Sequence, residues 1–428
     1  MTTRDDCQRM DRADPLAALR EQFVMPDGVI YLDGNSLGPL PKAAAARVKQ
    51  VVEQEWGVGL IGSWNTAGWI DLPHRVGDKI ARLVGAGAGE LLVADSTSVN
   101  LYKVLSAALD QGRMGAPARD VILTERNNFP TDLYIAESIA HERDLELRRV
   151  DADALAAHLD RRVAVLLLTH VNYRDGRLHA MPELNCAAHA AGALTVWDLA
   201  HSAGAVPVDL AGGGDPDAAA DFAVGCGYKY LNGGPGAPAF VWAYPAHTAR
   251  MDALSIGQPL SGWLGHAAPF DFAPGYRPAA GIARFASGTP PVLSLAALEC
   301  GVDTVLAAEV LGGMPALREK SLALTELCIE LVDARCGGFG LALQTPRDPA
   351  RRGSQVSYAR QEGAYALMQA LIRRGVIGDF RAPDILRFGF APLYTRFADV
   401  WDAVEHLRQA HDSGEWRDAR LSARAAVT

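Results

Sequence analysis

Two residues have the type and spacing for shared chemistry, Asp198 and Lys229. Lys229 follows a short apolar run, Phe222 to Gly225, and precedes a Gly/Pro turn, Gly233-Gly234-Pro235-Gly236. A lysine at the end of a buried strand can be a desolvated amine that attacks a carbonyl; an exposed loop lysine is the plain alternative. Asp198 ends the apolar run Leu194 to Trp197, and a helix N-cap is its plain alternative. An anion at the C-terminal end of a parallel strand sits where open α/β sheets hold ligands. Pyridoxal 5'-phosphate needs both groups, an amine to trap its aldehyde and an anion to keep its ring nitrogen protonated. Side by side, the two residues favour that cofactor over the plain alternatives.

Such a pair needs a sheet to position it. Apolar stretches near Leu91 to Ala94, Val121 to Thr124, Val163 to Leu168, Leu194 to Trp197, Phe222 to Gly225 and Phe240 to Tyr244 are mostly separated by helical patterns. Near-continuous apolar strands are covered on both faces, so a largely parallel α/β sheet is expected. After about Pro291 helical segments dominate, Leu293 to Leu306 and Leu317 to Val332, followed by strand-like Gln355 to Tyr358 and Ile385 to Phe390. This predicts a smaller α+β domain. The expected division is 1–70 for an N-terminal arm and part of the small domain, 71–290 for the large cofactor domain, and 291–428 for the small domain. The arm carries one short helix near Leu16 to Phe23, Trp56 to Trp69 reads as a loop, and the tail after Trp416 reads as mobile.

Composition narrows the function. A chain of 428 residues is long enough for two cores. A formal net charge of −9 argues against a nucleic-acid or anionic-membrane surface as the main role. No apolar run approaches the roughly 20 residues that span a bilayer, and the first residues lack a signal-peptide core, so a cytoplasmic location is expected. Six cysteines without a Cys-x-x-Cys pair suggest neither a disulfide framework nor a zinc site.

Asp198-Leu-Ala-His201 together with Tyr228-Lys229-Tyr230-Leu231-Asn232-Gly233-Gly234 resembles the fold-type-I pyridoxal phosphate enzymes and, among them, the kynureninase family. Tyr31-Leu-Asp-Gly-Asn-Ser-Leu-Gly38, Asn128-Phe-Pro-Thr-Asp132, Thr169-His-Val-Asn-Tyr173, Ser261-Gly-Trp-Leu-Gly-His266 and Ile385-Leu-Arg387 extend the resemblance from about Tyr31 to about Trp401. The resemblance implies a PLP-dependent transferase-like fold and cleavage of L-kynurenine to anthranilate and L-alanine. It also implies a homodimer with a shared active site.

The same resemblance implies the roles of individual residues. Thr97 and Ser98 hold the cofactor phosphate, helped by Tyr228, and plain N-capping by Ser96 or Thr97 is the alternative. Phe129 stacks on the cofactor ring, with Asp132 and Thr169 near its edge. His201 orients or packs on the cofactor. Trp263 and Thr289 reach it from the neighbouring subunit. Arg387 takes the substrate's α-carboxylate, for which a guanidinium fork is suited. Trp64 and Asn35 also contact the substrate. Lys229 moves the Cα proton, Asp198 supports the ring nitrogen, and Tyr228 serves as proton relay. The competing readings are a desulfurase-like lyase using Cys336 on a loop, an aminotransferase, or a non-catalytic cofactor binder.

Overall fold

The computed structural model describes residues 2–114 and 119–424. The strands, in chain order, are β1 (Ile30–Tyr31), β2 (Leu91–Val93), β3 (Val121–Glu125), β4 (Glu146–Val150), β5 (Val163–Thr169), β6 (Leu194–Asp198) and β7 (Phe222–Gly225). They are followed by β8 (Phe240–Ala243), β9 (Ala342–Leu343), β10 (Gln355–Ala359), β11 (Val376–Ile377), β12 (Asp379–Arg381) and β13 (Ile385–Gly389).

A seven-stranded sheet has the order β2-β8-β7-β6-β5-β3-β4. Its pairs are parallel from β4 through β7, while β8 pairs antiparallel with both β7 and β2. Side chains along a strand alternate between faces, and here both faces are apolar. Val165 and Leu167 of β5 enter the core that holds Leu101, Val104 and Leu105 of helix Thr97–Gly112. Leu166 and Leu168 enter the opposite core, with Val76 and Ile80 of helix Leu72–Ala81 and Leu295 and Leu298 of helix Val292–Leu306. This is the α/β sheet predicted from near-continuous apolar strands, with one edge reversed.

A second sheet, β12-β13-β10-β9, is antiparallel, and the short β1 pairs with β11. Helices Gly313–Arg335, Ala364–Arg373 and Phe397–Asp412 bury their apolar faces against it. Helix Gly313–Arg335 joins the two cores: Leu317 packs in the first, Leu324 to Val332 in the second.

Three local expectations change. The arm holds a helix, Arg4–Ala13, capped by Thr3, whose buried Cys7 joins the second core. The stretch from Trp56 to Trp69 contains two short helical turns, Leu60–Gly62 and Ser63–Thr66. Beyond Trp416 the chain is packed as far as Leu421, which is buried in the second core, so the expected mobile tail is not seen there. Residues 425–428 lie outside the described residues.

Candidate active site

The C-terminal ends of β5, β6 and β7 meet at one cavity of about 280 Å³. Ladder register places Thr169 beside Asp198 and Asp198 beside Val224. Lys229 follows β7 in a turn closed by Asn232 N–H donating to its carbonyl at 2.9 Å, and by Gly233 N–H donating to Gly227 at 2.9 Å. Asn232 holds the turn with φ at +55°, a left-handed conformation that asparagine tolerates better than most residues. From the other side Gly38 N–H donates to the Tyr228 carbonyl at 2.8 Å. An approach this close has no room for a side chain at Gly38.

Electrostatics follow from burial. Lys229 is 8% exposed. Burial pulls its amine below the ordinary lysine range, while Cys226 and Asp198 pull the other way. Asp198 is 3% exposed; burial raises its carboxyl, and Lys229 opposes the rise. Its Oδ1 accepts from Ala200 N–H at 2.8 Å. Asp132 is raised well above the usual carboxylate range by burial and then by the charge of Asp198.

Hydrogen-bond counting agrees with that direction for Asp132. Asn128 Oδ1 accepts from Phe129 N–H at 2.7 Å, which fixes it as an acceptor. Thr169 Oγ1 lies 2.5 Å from that oxygen and 3.1 Å from Asp132 Oδ2. A hydroxyl has one proton. Thr169 gives it to Asn128, so the contact with Asp132 is satisfied when Asp132 carries a proton and donates.

The remaining walls bring together most of the sequence-derived set. Phe129 stands with its ring centroid 5.8 Å from Lys229 Nζ, and Tyr228 at the same distance. Ser96 caps helix Thr97–Gly112 by accepting from Val99 N–H at 3.3 Å. Thr97 and Ser98 are thereby spared for the cavity, at a helix start suited to an anion. His201 is buried at the cavity, lowered well below its ordinary value by burial and by Lys229, and its Nδ1 is 3.1 Å from Gln355 Oε1.

Other expected residues are not on this cavity wall. Thr289 lines an adjoining cavity of about 450 Å³, which shares Ser96, Thr97 and Tyr228 with the first. Trp263 is 38% exposed and packs edge-on against exposed Phe270. Trp64 packs edge-on against Trp69, whose Nε1 donates to Glu55 at 2.8 Å. Asn35 is wholly buried, so close to Gly389 that a Cβ there would stand 2.2 Å from its Oδ1. Arg387 is buried in the second sheet but reaches the cavity wall: its Nη1 donates to the Tyr173 carbonyl at 2.6 Å.

Sequence reasoning passed over Tyr173 and Asp379. Tyr173 stood inside a quoted motif, and its ring meets Phe129 edge-on at 5.2 Å. Asp379 pairs with Arg387 across β12 and β13.

Cys336, the proposed loop nucleophile of the desulfurase reading, is buried at the end of helix Gly313–Arg335 in the second core. Burial pushes its thiol up to about 12. A catalytic thiol needs the opposite environment, exposed and electropositive.

Comparison with known proteins bears on the family and the fold. The Kynureninase C-terminal domain family matches residues 317–407. A protein of Burkholderia pseudomallei (strain K96243) named Kynureninase is 56% identical over 431 residues, covering 100% of both chains. Among solved structures, an apo cysteine desulfurase from Thermococcus onnurineus NA1 has a TM-score of 0.74 at 19% identity, covering 92% of this chain and 98% of its own. A C-DES variant with glycine covalently linked to its PLP cofactor has a TM-score of 0.75 at 16% identity, covering 91% and 98%. At such identities the structural likeness speaks for the fold, a fold-type-I PLP enzyme fold, and the full-length relatives speak for the family. A buried lysine beside a strand-end aspartate, in a chain this similar from end to end to its relatives, places the protein in the kynureninase family.

Proposed function

We propose that the protein hydrolyses L-kynurenine with water to anthranilate and L-alanine, using pyridoxal 5'-phosphate. The observation that carries this reading is the Lys229 amine, buried beside Asp198 at the strand-end cavity. The residues fit the cofactor: an amine for its aldehyde, a carboxylate whose burial is relieved by a cationic ring nitrogen, an aromatic wall at Phe129, and a helix start for its phosphate.

Pyridoxal 5'-phosphate would supply an aldehyde for the substrate amine and an electron sink for the pair left on carbon. The protein residues do the rest. Lys229, lowered by burial, takes the Cα proton and returns it. Asp198 holds the ring nitrogen protonated by placing its negative charge there. Thr97 and Ser98, with Tyr228, hold the phosphate. Tyr228 passes a proton to and from the water that attacks the γ-carbonyl. Asp132, protonated, donates at the ring edge beside Thr169, and His201 packs neutral against the ring. Arg387 takes the α-carboxylate.

Trp64 and Asn35 contact the substrate, and Trp263 and Thr289 reach the cofactor from the neighbouring subunit of a homodimer. Support comes from the exposed apolar side chains that border two of them, Val58, Leu60 and Ile61 near Trp64 and Phe270 and Phe272 near Trp263. We place the large cofactor domain at about 71–290 and the small domain after it; helix Val292–Leu306 packs with the large sheet, and helix Gly313–Arg335 contributes to both cores. A cytoplasmic place in tryptophan degradation accords with this activity. No helix among the described residues is long and apolar enough to cross a membrane.

Adding L-kynurenine to the cofactor-loaded protein should release anthranilate, read by its fluorescence. Sulfide from cysteine with no anthranilate would favour the lyase reading instead.

A further inference from the structure

Arg387 is held by three residues, Asp379, Ser36 and Tyr173. Its Nε donates to Asp379 Oδ1 at 2.9 Å and its Nη2 donates to Asp379 Oδ2. Nη2 also donates to Ser36 Oγ at 2.9 Å, and Nη1 to the Tyr173 carbonyl at 2.6 Å. Arginine has five N–H groups, and the two bonds to Asp379 take the Nε–Nη2 edge. A carboxylate can enter at the Nη1–Nη2 edge, where only neutral oxygens stand. A bidentate guanidinium–carboxylate pair joins two opposite charges and is stronger than single bonds to neutral oxygens, so a carboxylate displaces those oxygens.

A second guanidinium reaches the same place. Arg381 Nη2 donates to Asp379 Oδ2 at 2.7 Å and to Ser36 Oγ at 3.1 Å. Ser36 Oγ in turn donates to Asp379 Oδ2 at 2.7 Å. The arrangement follows from the sheet: Asp379 is directly opposite Arg387 in the β12–β13 ladder, and Arg381 is two residues along on the same face. The Arg387 and Asp379 side chains are 1% and 3% exposed, while Arg381 is 39% exposed and can adjust. Two guanidinium groups share one carboxylate, leaving one positive charge for an incoming anion. The nearby Asp33 carboxyl, held up to about 7 by burial and then by Asp379, cancels little of that charge in mildly acidic solution.

We propose that Asp379 is a positioning residue that holds Arg387 and Arg381 as a two-guanidinium receptor for the substrate's α-carboxylate. This rests on the reading above that the substrate is an α-amino acid. A buried ion pair of purely structural purpose makes a different prediction, because it would not distinguish ligands with a carboxylate from those without one.

The test is a spectral titration of the cofactor-loaded protein with L-kynurenine and with its decarboxylated amine, kynuramine. L-Alanine and ethylamine form a second pair. Asp379→Asn keeps the shape and removes the charge; it should weaken binding of each carboxylate-bearing ligand on the order of tenfold, the scale of a lost charged hydrogen bond. It should leave both amines within about twofold, well inside that tenfold step. Arg381→Gln, at a half-exposed position that should fold regardless, should also weaken the carboxylate ligands selectively, by several-fold, with KM rising more than kcat falls. Equal weakening of both members of a pair, or no change in either variant, overturns the proposal. If the parent protein ignored L-kynurenine, the substrate reading would fail while the alanine–ethylamine pair still tested the receptor.

Discussion

Gly38→Ala probes whether the Gly-Asn-Ser-Leu-Gly segment sets the position of Lys229. A Cβ built at Gly38 would stand 2.6 Å from the Lys229 carbonyl oxygen, 2.7 Å from Asn232 Cα and 2.5 Å from Asn232 Oδ1. Ordinary contact begins near 3.4 Å, so the shortfall is about 0.7 to 0.9 Å. Two of the three atoms are backbone, and the asparagine is held in a left-handed turn, so the relief must come from the Lys229 turn or from Gly38 itself. Overpacking of this kind costs about 1–3 kcal/mol. A displacement near 1 Å in a reacting group lowers rate on the order of a hundredfold. Urea unfolding of the loaded protein and anthranilate release measure the two effects. Gly62→Ala is the control, since nothing lies within 4 Å of a Cβ there and its φ of −62° is ordinary; it should stay within about 0.5 kcal/mol of the parent. Parent-like stability and turnover in Gly38→Ala would refute the positioning argument.

Borohydride reduction of the loaded protein, followed by peptide mapping, should find the pyridoxyl group on Lys229, and a label on another lysine would remove it from the mechanism. Asp198→Ala should retain cofactor through its phosphate but lose turnover by several orders of magnitude; turnover at the parent rate would show that the ring nitrogen needs no anion. The combined change Trp64→His and Thr289→Asn should shift kcat/KM toward 3-hydroxykynurenine by about 1–3 kcal/mol, the range for small changes in an apolar pocket; an unchanged ratio means Trp64 is packing alone. Asp33 is raised to about 7, so its neutral form suits the fold; its contribution is full below about pH 4 and lost as pH rises to 7. Asp33→Asn should therefore gain stability over the parent progressively between pH 4 and 7, and a difference that is flat with pH would contradict the assignment.

Much of the large sheet was legible because its strands are apolar on both faces. Val163 to Leu168 could belong to little else. β4 was missed for the opposite reason: it is an edge strand paired only with β3, and Glu146, Arg148 and Arg149 solvate it. The reversal of β8 left no mark, since an apolar run reads alike in both directions. Within the site, Asp198 was legible because it ends β6, and Lys229 because it follows β7 just ahead of a Gly/Pro turn. Asp379 was not, because eight positions separate it from Arg387 and only the hairpin register makes them neighbours. Cys336 was misjudged because Gly337 and Gly338 suggested an open loop, while burial is decided by Phe339 and the helix packed beside it.

Helix Gly313–Arg335 spans 23 residues, about 34 Å of unbroken rise. Its only proline, Pro315, stands in the first turn, where the missing N–H costs nothing. Glycine precedes it at Gly312, with φ of +103°, and no glycine interrupts it after Gly313. The helix therefore behaves as a strut. Any rocking of one core against the other must bend the chain at the Gly312–Gly313 end or in the loops, because the strut itself has no soft joint. Loss of either core strips one end of the helix of its packing, which ties the melting of the two halves together more tightly than their separate sheets would suggest.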